Sequence, residues 1–282
     1  MKADCHMHMV LDGIDWKNAI ARHQPIPDDA FIHKTLQTYQ QAGYTYLRDG
    51  GDRWGVSARA RELAPDYGIC YRTPLSPLSK KGHYGGFIGE QFDTLEEYTA
   101  LVKKQKAKGA DFIKIMISGL MDFSQAGVLT EEGLDDDTIA QMIHIAHQEG
   151  MAVMAHCNGG KNALAAAEAG VDSIEHGAYL TPEALEAMAK NNVIWVPTIS
   201  TVYHLLGKGR YPDDQVTKIW ESACRNISAF CALGGLIASG TDAGAWAVAH
   251  GSDEALLLEK AGASSSCILA GQQKIQDIFK GF

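Results

Sequence analysis

The sequence lacks the marks of a membrane-spanning, disulfide-stapled or nucleic-acid-binding chain. No uninterrupted apolar run reaches the roughly 20 residues a membrane helix needs. There are only six cysteines in 282 residues, with no CxxC pair and no tight repeated spacing. A chain of this length can bury a large core without disulfides, so scattered thiols fit a reduced, cytoplasmic protein. The opening Met1-Lys2-Ala3-Asp4-Cys5-His6 places acid and histidine where a signal peptide needs an apolar stretch. A basic surplus is missing too: 25 Lys and Arg against 34 Asp and Glu leave a formal charge of -9. That balance argues against nucleic acid as a partner, because a phosphate footprint needs concentrated cations. The one basic run, Lys103, Lys104, Lys106 and Lys108, falls in an expected helix and reads as a solvated face. A small molecule is the expected partner, and a homo-oligomer is left open.

What is present is an alternation. Eight apolar runs, at residues 3–8, 44–49, 69–73, 111–117, 151–156, 171–176, 193–198 and 236–242, read as strands. Several are apolar on consecutive residues, as expected of parallel strands covered by helices. Helical stretches lie between them. Thr94 with Glu97 marks a capping box, Thr181-Pro182 an N-cap with proline at the first helical position, and Gly150 a stop after the 136–149 helix. Asp135-Asp136-Asp137 supplies negative charge at the start of that helix. Eight β/α units in about 280 residues predict an α/β fold, a (β/α)₈ TIM barrel. It is expected as a single domain over residues 1–282, with a helical tail from about 264. An open doubly wound sheet is the competitor, but Asp49-Gly50-Gly51-Asp52 lacks its phosphate-loop pattern.

Polar residues gather at the expected strand ends, the face on which barrels build their sites. His6 and His8 are two apart on a strand, so their imidazoles point the same way and can share one divalent ion. His156 and His176 close two successive strands. Asp242 ends the eighth, which neighbours the first once a barrel closes, and a carboxylate there can ligate metal or take a proton from water. For each there is a plainer reading, a hydrogen-bonding histidine or a helix-capping aspartate. Lys114 sits in Phe112-Ile113-Lys114-Ile115-Met116, where an ammonium is costly to desolvate. A carbamate formed with carbon dioxide would relieve that cost and bridge two cations; a buried ion pair or a snorkelling lysine competes with it. His144 and His147 read as the solvated side of a helix. Ser118-Gly119 and Ser239-Gly240 lack a serine-elbow pattern. Asp49 is placed to support a site, and Trp16 and Trp54 could line a pocket mouth.

His6-Met7-His8, Phe112-Ile113-Lys114, Ala155-His156, Ile174-Glu175-His176-Gly177 and Ser239-Gly240-Thr241-Asp242, in that order, resemble the amidohydrolase superfamily. The resemblance runs along nearly the whole chain. It implies two divalent metal ions, zinc being the first expectation, although the ligand types also suit manganese or iron. By that resemblance His6, His8 and Asp242 hold the more buried ion and His156 and His176 the second, with carboxylated Lys114 and a hydroxide between them. The Ile113 to Gly119 stretch, Val196-Pro197-Thr198 and the Gly82-His83 turn are most similar to the Xaa-Pro dipeptidase-like and imidazolonepropionase-like branch. The implied reaction is hydrolysis of an amide bond in a dipeptide or N-acyl amino acid. Asp242 would act as proton shuttle, His83 would polarise the carbonyl, and Arg72 and Tyr203 would contact substrate. A mononuclear deaminase or cyclic-amide hydrolase and a non-catalytic metal-binding barrel are the alternatives. Members of the superfamily usually flank the barrel with a small β-sandwich, for which the residues before His6 and after the last helix leave little room.

Overall fold

The computed structural model describes residues 2–246 and 248–281. Its strands, in chain order, are β1 (Lys2–Met7), β2 (Tyr44–Asp49), β3 (Cys70–Arg72), β4 (Leu78–Lys80), β5 (Glu90–Phe92), β6 (Ile113–Met116), β7 (Val153–Cys157), β8 (Ser173–His176), β9 (Ile194–Val196) and β10 (Leu236–Ile237). Each of the eight expected runs overlaps a strand. β4 and β5 were not expected; at three residues each, in a Pro-, Gly- and Lys-rich stretch, they offer no periodicity to read.

The helices are α1 (Trp16–Arg22), α2 (Asp29–Gln41), α3 (Val56–Leu63), α4 (Leu95–Ala107), α5 (Asp136–Gln148), α6 (Gly160–Glu168), α7 (Pro182–Lys190), α8 (Ser200–Tyr203), α9 (Asp213–Ala232), α10 (Ala255–Lys260) and α11 (Ser265–Ile278). Their starts are chemically marked. Thr94 Oγ1 accepts from Glu97 N at 3.2 Å, while Glu97 Oε2 accepts from Asp93 N at 2.7 Å, tying down donors that α4 cannot satisfy itself. Asp135 and Thr181 cap α5 and α7 in the same way. Among the described residues, no helix is long and apolar enough to cross a membrane.

The strands form two sheets, β1-β2-β3 and β10-β9-β8-β7-β6-β4-β5, and every pairing within them is parallel. This order, with helices between most successive strands but none from β3 to β5, is a TIM-barrel-like α/β fold. Backbone bonds also run between the sheets: Cys5 N to Ser239 O (2.8 Å), Asp242 N to His6 O (2.7 Å) and Asp111 N to Thr73 O (3.0 Å). β10 ends at Ile237, short of the expected 236–242 run, and Asp242 at the end of that run adopts a left-handed φ of 54°. Thr241 turns instead to Asp4, with its N 2.9 Å from Oδ1 and its Oγ1 2.6 Å from Oδ2.

Helices cover the strands with apolar faces. Ile139, Met142, Ile143 and Ala146 of α5 are all fully buried against the sheet. Each of the larger side chains contributes about 1.5–3 kcal/mol through burial. The expected helical tail is not loose: Ile275 and Phe279 pack with Cys5, Tyr46, Met154 and Val196 at the end of the strands away from the histidines.

Candidate metal centre

His6 in β1 and His8 just beyond it are both buried. The segment after β10 brings Asp242 against them, with Oδ1 3.2 Å from His8 Nε2 and 3.5 Å from His6 Nε2. Ligands about 2.0–2.2 Å from a tetrahedral zinc ion sit about 3.3–3.6 Å apart, so these spacings suit one cation. The donor atoms of His6, His8 and Asp242 all lie within 4.8 Å of one another.

Two further histidines extend this cluster. The rings of His6 and His176 are 4.9 Å apart, and those of His176 and His156 4.5 Å. His176 Nδ1 lies 2.7 Å from Thr198 Oγ1. His156 Nε2 lies 3.2 Å from Gly119 O. Burial pushes His156 down to about 3 and holds His6 and His176 well below the ordinary imidazole value; nearby Lys114 adds to this at His6 and His156, and His156 itself adds to it at His176. Neutral imidazole is the form that binds a metal.

Backbone geometry at this site is unusual. His176, Thr198 and Asp242 have φ values of 68°, 50° and 54°. Outside glycine, and above all for a β-branched threonine, such conformations cost on the order of 1–3 kcal/mol each and persist only where contacts hold them. Here the contacts are visible. Thr198 O accepts from Thr201 Oγ1 at 2.8 Å, and the next two amides, of Ile199 and Ser200, donate to Glu254 at 2.6 and 2.8 Å. Gly177 follows His176 because a Cβ there would lie 2.5 Å from Trp195 Nε1. Gly50 has a similar reason, since its Cβ would meet His8 Cε1 at 2.3 Å.

Lys114 projects from β6 into the same space and is 1% exposed. Its Nζ has no hydrogen-bond partner among the described residues. Burial is the main cause that lowers it to about 8; Glu175 and Asp242 oppose the shift and Arg48 adds to it. An orphaned buried ammonium is expensive, and an amine lowered this far has a neutral fraction able to add carbon dioxide. Lysine and histidines together therefore fit a group that brings positive charge of its own.

A cavity of about 460 Å³ opens on all six expected ligands, His6, His8, Lys114, His156, His176 and Asp242. Its lining also includes six aromatic side chains, Trp16, Tyr84, Phe87, Phe123, Tyr211 and Trp246, together with Arg210. Phe123 lies 5.0 Å from Trp246 and 5.4 Å from Tyr211, and the Arg210 guanidinium lies 5.6 Å from both the Tyr211 and Trp246 rings.

The other three expected residues are placed elsewhere. His83 is not among the lining residues; its Nδ1 faces Glu131 Oε1 at 3.7 Å, and the neighbouring Tyr84 takes the wall position, with its ring 4.7 Å from that of His156. Arg72 pairs with Asp111, ahead of β6 and so at the opposite strand ends from the histidines. Tyr203 packs on Trp220 at 5.4 Å, with Lys260 Nζ 5.5 Å from its ring. Of the two expected tryptophans, Trp16 lines the cavity and Trp54 does not. His147 pairs with Asp172 and His144 with Gln148, away from the cavity.

Glu175, Thr198, Glu254 and Arg48 support the site without being among the expected site residues. Glu175 adjoins His176 at the end of β8, and because His176 leaves the extended conformation (φ 68°), both side chains reach His6.

Ochratoxinase of Aspergillus niger is 27% identical over 237 residues, which cover 71% of this chain and 47% of that sequence. The chain thus spans about half the length of that relative. An uncharacterized protein of Mycobacterium tuberculosis is 26% identical over 267 residues, covering 92% of this chain and 68% of its own. Among solved structures, an Xaa-Pro dipeptidase with methionine bound in its active site superposes with a TM-score of 0.79 at 20% identity, over 99% of this chain and 74% of the other. The A. niger ochratoxinase structure gives 0.75 at 22% identity, over 98% and 70%. At these identities the structures share a fold with this chain. The sequence profile of the amidohydrolase family matches residues 32–266, most of the length, and the chain belongs to that family.

Proposed function

We propose that the chain is a metal-dependent hydrolase that cleaves an amide bond in a small substrate such as a dipeptide or N-acyl amino acid. The observation that carries this is the convergence of His6, His8 and Asp242 within 4.8 Å at the inner end of a cavity. His6, His8 and Asp242 would hold one divalent ion, and His156 and His176 a second, with carboxylated Lys114 between them. The barrel is read as closed and as one domain, since backbone bonds join both sheet junctions. Bound cations would supply an acidified water and polarise the scissile carbonyl. Asp242 takes the proton from the attacking water and returns it to the leaving amine. Tyr84, in the turn where His83 was expected to act, faces the substrate from the His156 side. The aromatic wall excludes water and holds an apolar acyl or side-chain group, while Arg210 offers a guanidinium to a carboxylate.

One observation favours a single-ion reading, that of a deaminase or cyclic-amide hydrolase. His156 Nε2 is turned to the Gly119 carbonyl, so it acts there as a donor. Elemental analysis of protein dialysed against zinc or manganese separates the readings: two ions per chain support the binuclear centre, one the alternative. Protein that binds no divalent ion overturns both. Activity on a panel of dipeptides, N-acyl amino acids, lactones and amino-heterocycles then decides the reaction, and a loaded but inert protein would be a non-catalytic barrel.

A further inference from the structure

Beneath the histidines lies an ion pair with no exposure to solvent. Arg48 of β2 and Glu175 of β8 are both 0% exposed, with Arg48 NH2 2.8 Å from Glu175 Oε1. Arg48 also donates from Nε to Cys5 O at 2.7 Å and from NH1 to Ser173 Oγ at 3.0 Å. Ser173 Oγ donates in turn to Glu175 Oε1 at 2.6 Å. The guanidinium is backed by the Phe279 ring, 4.4 Å away. One carboxylate oxygen is therefore saturated by donors, and the other is committed. Glu175 Oε2 lies 2.8 Å from His6 Nδ1.

A buried ion pair is a poor device for stability alone, because desolvating two charges offsets most of their attraction. This one does something an apolar pair could not. A carboxylate has no proton to give, so the His6 contact requires the proton on Nδ1, leaving the Nε2 lone pair toward His8 and Asp242. We propose that Arg48 and Glu175 are positioning residues that set the ring tautomer and orientation of His6, and so prepare its Nε2 as a ligand atom. The relay runs across the barrel interior from β2 to β8 to β1, with Arg48 holding Glu175 and Glu175 holding His6. The ligand role of Nε2 rests on the proposed metal centre; the tautomer itself does not.

The chemistry of a one-atom change supplies the test. In Glu175→Gln, the donors Arg48 and Ser173 keep the amide oxygen on their side. The amide NH₂ then faces His6 Nδ1, which must accept, and the ring proton moves to Nε2. The isosteric substitution should thus do more harm than the apolar double variant Arg48→Met/Glu175→Leu, which leaves the ring free to choose. Two-dimensional ¹⁵N–¹H spectra of the histidine rings in chelator-stripped protein read the tautomer directly, with His6 assigned by the signal lost in His6→Gln. Wild type should show the Nδ1–H form and Glu175→Gln the Nε2–H form. Zinc titration of the same samples should give at least a tenfold affinity loss for Glu175→Gln and a smaller one for the double variant. A wild-type His6 protonated on Nε2 overturns the proposal, even if no variant folds. So does Glu175→Gln keeping both the Nδ1–H signal and wild-type zinc affinity. Wild type with the Nδ1–H form that binds no zinc would instead overturn the proposed centre and leave the relay standing.

Discussion

His6, His8 and Asp242 meet where the first strand lies beside the last, while His156 and His176 stand at the ends of two strands that are neighbours in both sequence and sheet. The two groups are also supported differently. The first contains a carboxylate and has a second, Glu175, behind His6. In the second, His176 is held by the Thr198 hydroxyl and His156 faces the carbonyl of Gly119. Neutral partners orient a ring but bring no net charge to offset a dication. In the proposed binuclear centre the two sites would therefore be unequal, one complete in itself and one that would depend on Lys114 to supply an anion as a carbamate.

The largest effect should come from the carboxylate. Asp242→Asn should lower turnover by about 10²–10⁴-fold, the range for losing a general acid–base group. Metal content, measured on the same preparation, should fall far less; equal losses would remove Asp242 as proton shuttle. Lys114→Met comes next and bears on the asymmetry itself. Elemental analysis should show the loss of the second ion with the first retained, and loss of both would erase the distinction between the halves. Thr198→Val removes only the hydroxyl behind His176. The weaker ion should bind about 10–100-fold less tightly, as when other outer partners of metal-bound histidines are lost. Competition with a chelator would measure this, and a matching change at the tighter site would break the comparison.

The smallest effect concerns Glu254, which holds the amides after Thr198. Burial raises its carboxyl from 4.5 to about 8, against the pull of its bonds to Ser200 and Ile199. The native state therefore keeps a proton that the unfolded chain has released. Its stabilising contribution is full below pH 4.5 and is lost as pH rises to about 8. Glu254→Gln cannot ionise, so thermal melts should show wild type losing ground to the variant across that window. Above pH 8 the difference should level off. A constant offset from the lost acceptor would leave this slope intact, whereas a flat difference would refute it.

Much of the site was legible because strands impose a two-residue period and barrels place their strand ends on one face. That logic pointed to His6, His8, His156, His176 and Asp242, and the family resemblance to Lys114; all six line one cavity. It could not place residues in loops, where nothing periodic sets the side-chain direction. His83 and Tyr84 are adjacent, yet only Tyr84 lines the cavity. Arg210, Tyr211 and Trp246 were invisible for the same reason. Arg48 escaped notice differently: an arginine in a strand reads as a solvated charge until its partner, 127 residues further on, is known. β4 and β5 were missed because three residues carry no pattern, and the left-handed turn at Asp242 because it leaves no trace in hydrophobicity.

Asp4 and Thr241 bond across 237 residues of sequence, directly below the point where Asp242 reaches His6 and His8. That contact has a consequence for biosynthesis. At about 5–20 residues per second, a ribosome would deliver Asp242 roughly 10–50 s after the histidines. Throughout that interval a nascent chain would display two imidazoles with no carboxylate to complete them. The completed triad would exist only once the first and last strands have joined, so cation binding would draw the folding equilibrium toward the finished ring by mass action. In a cell short of that metal, the joining of the two strands would be the first step to slow or reverse.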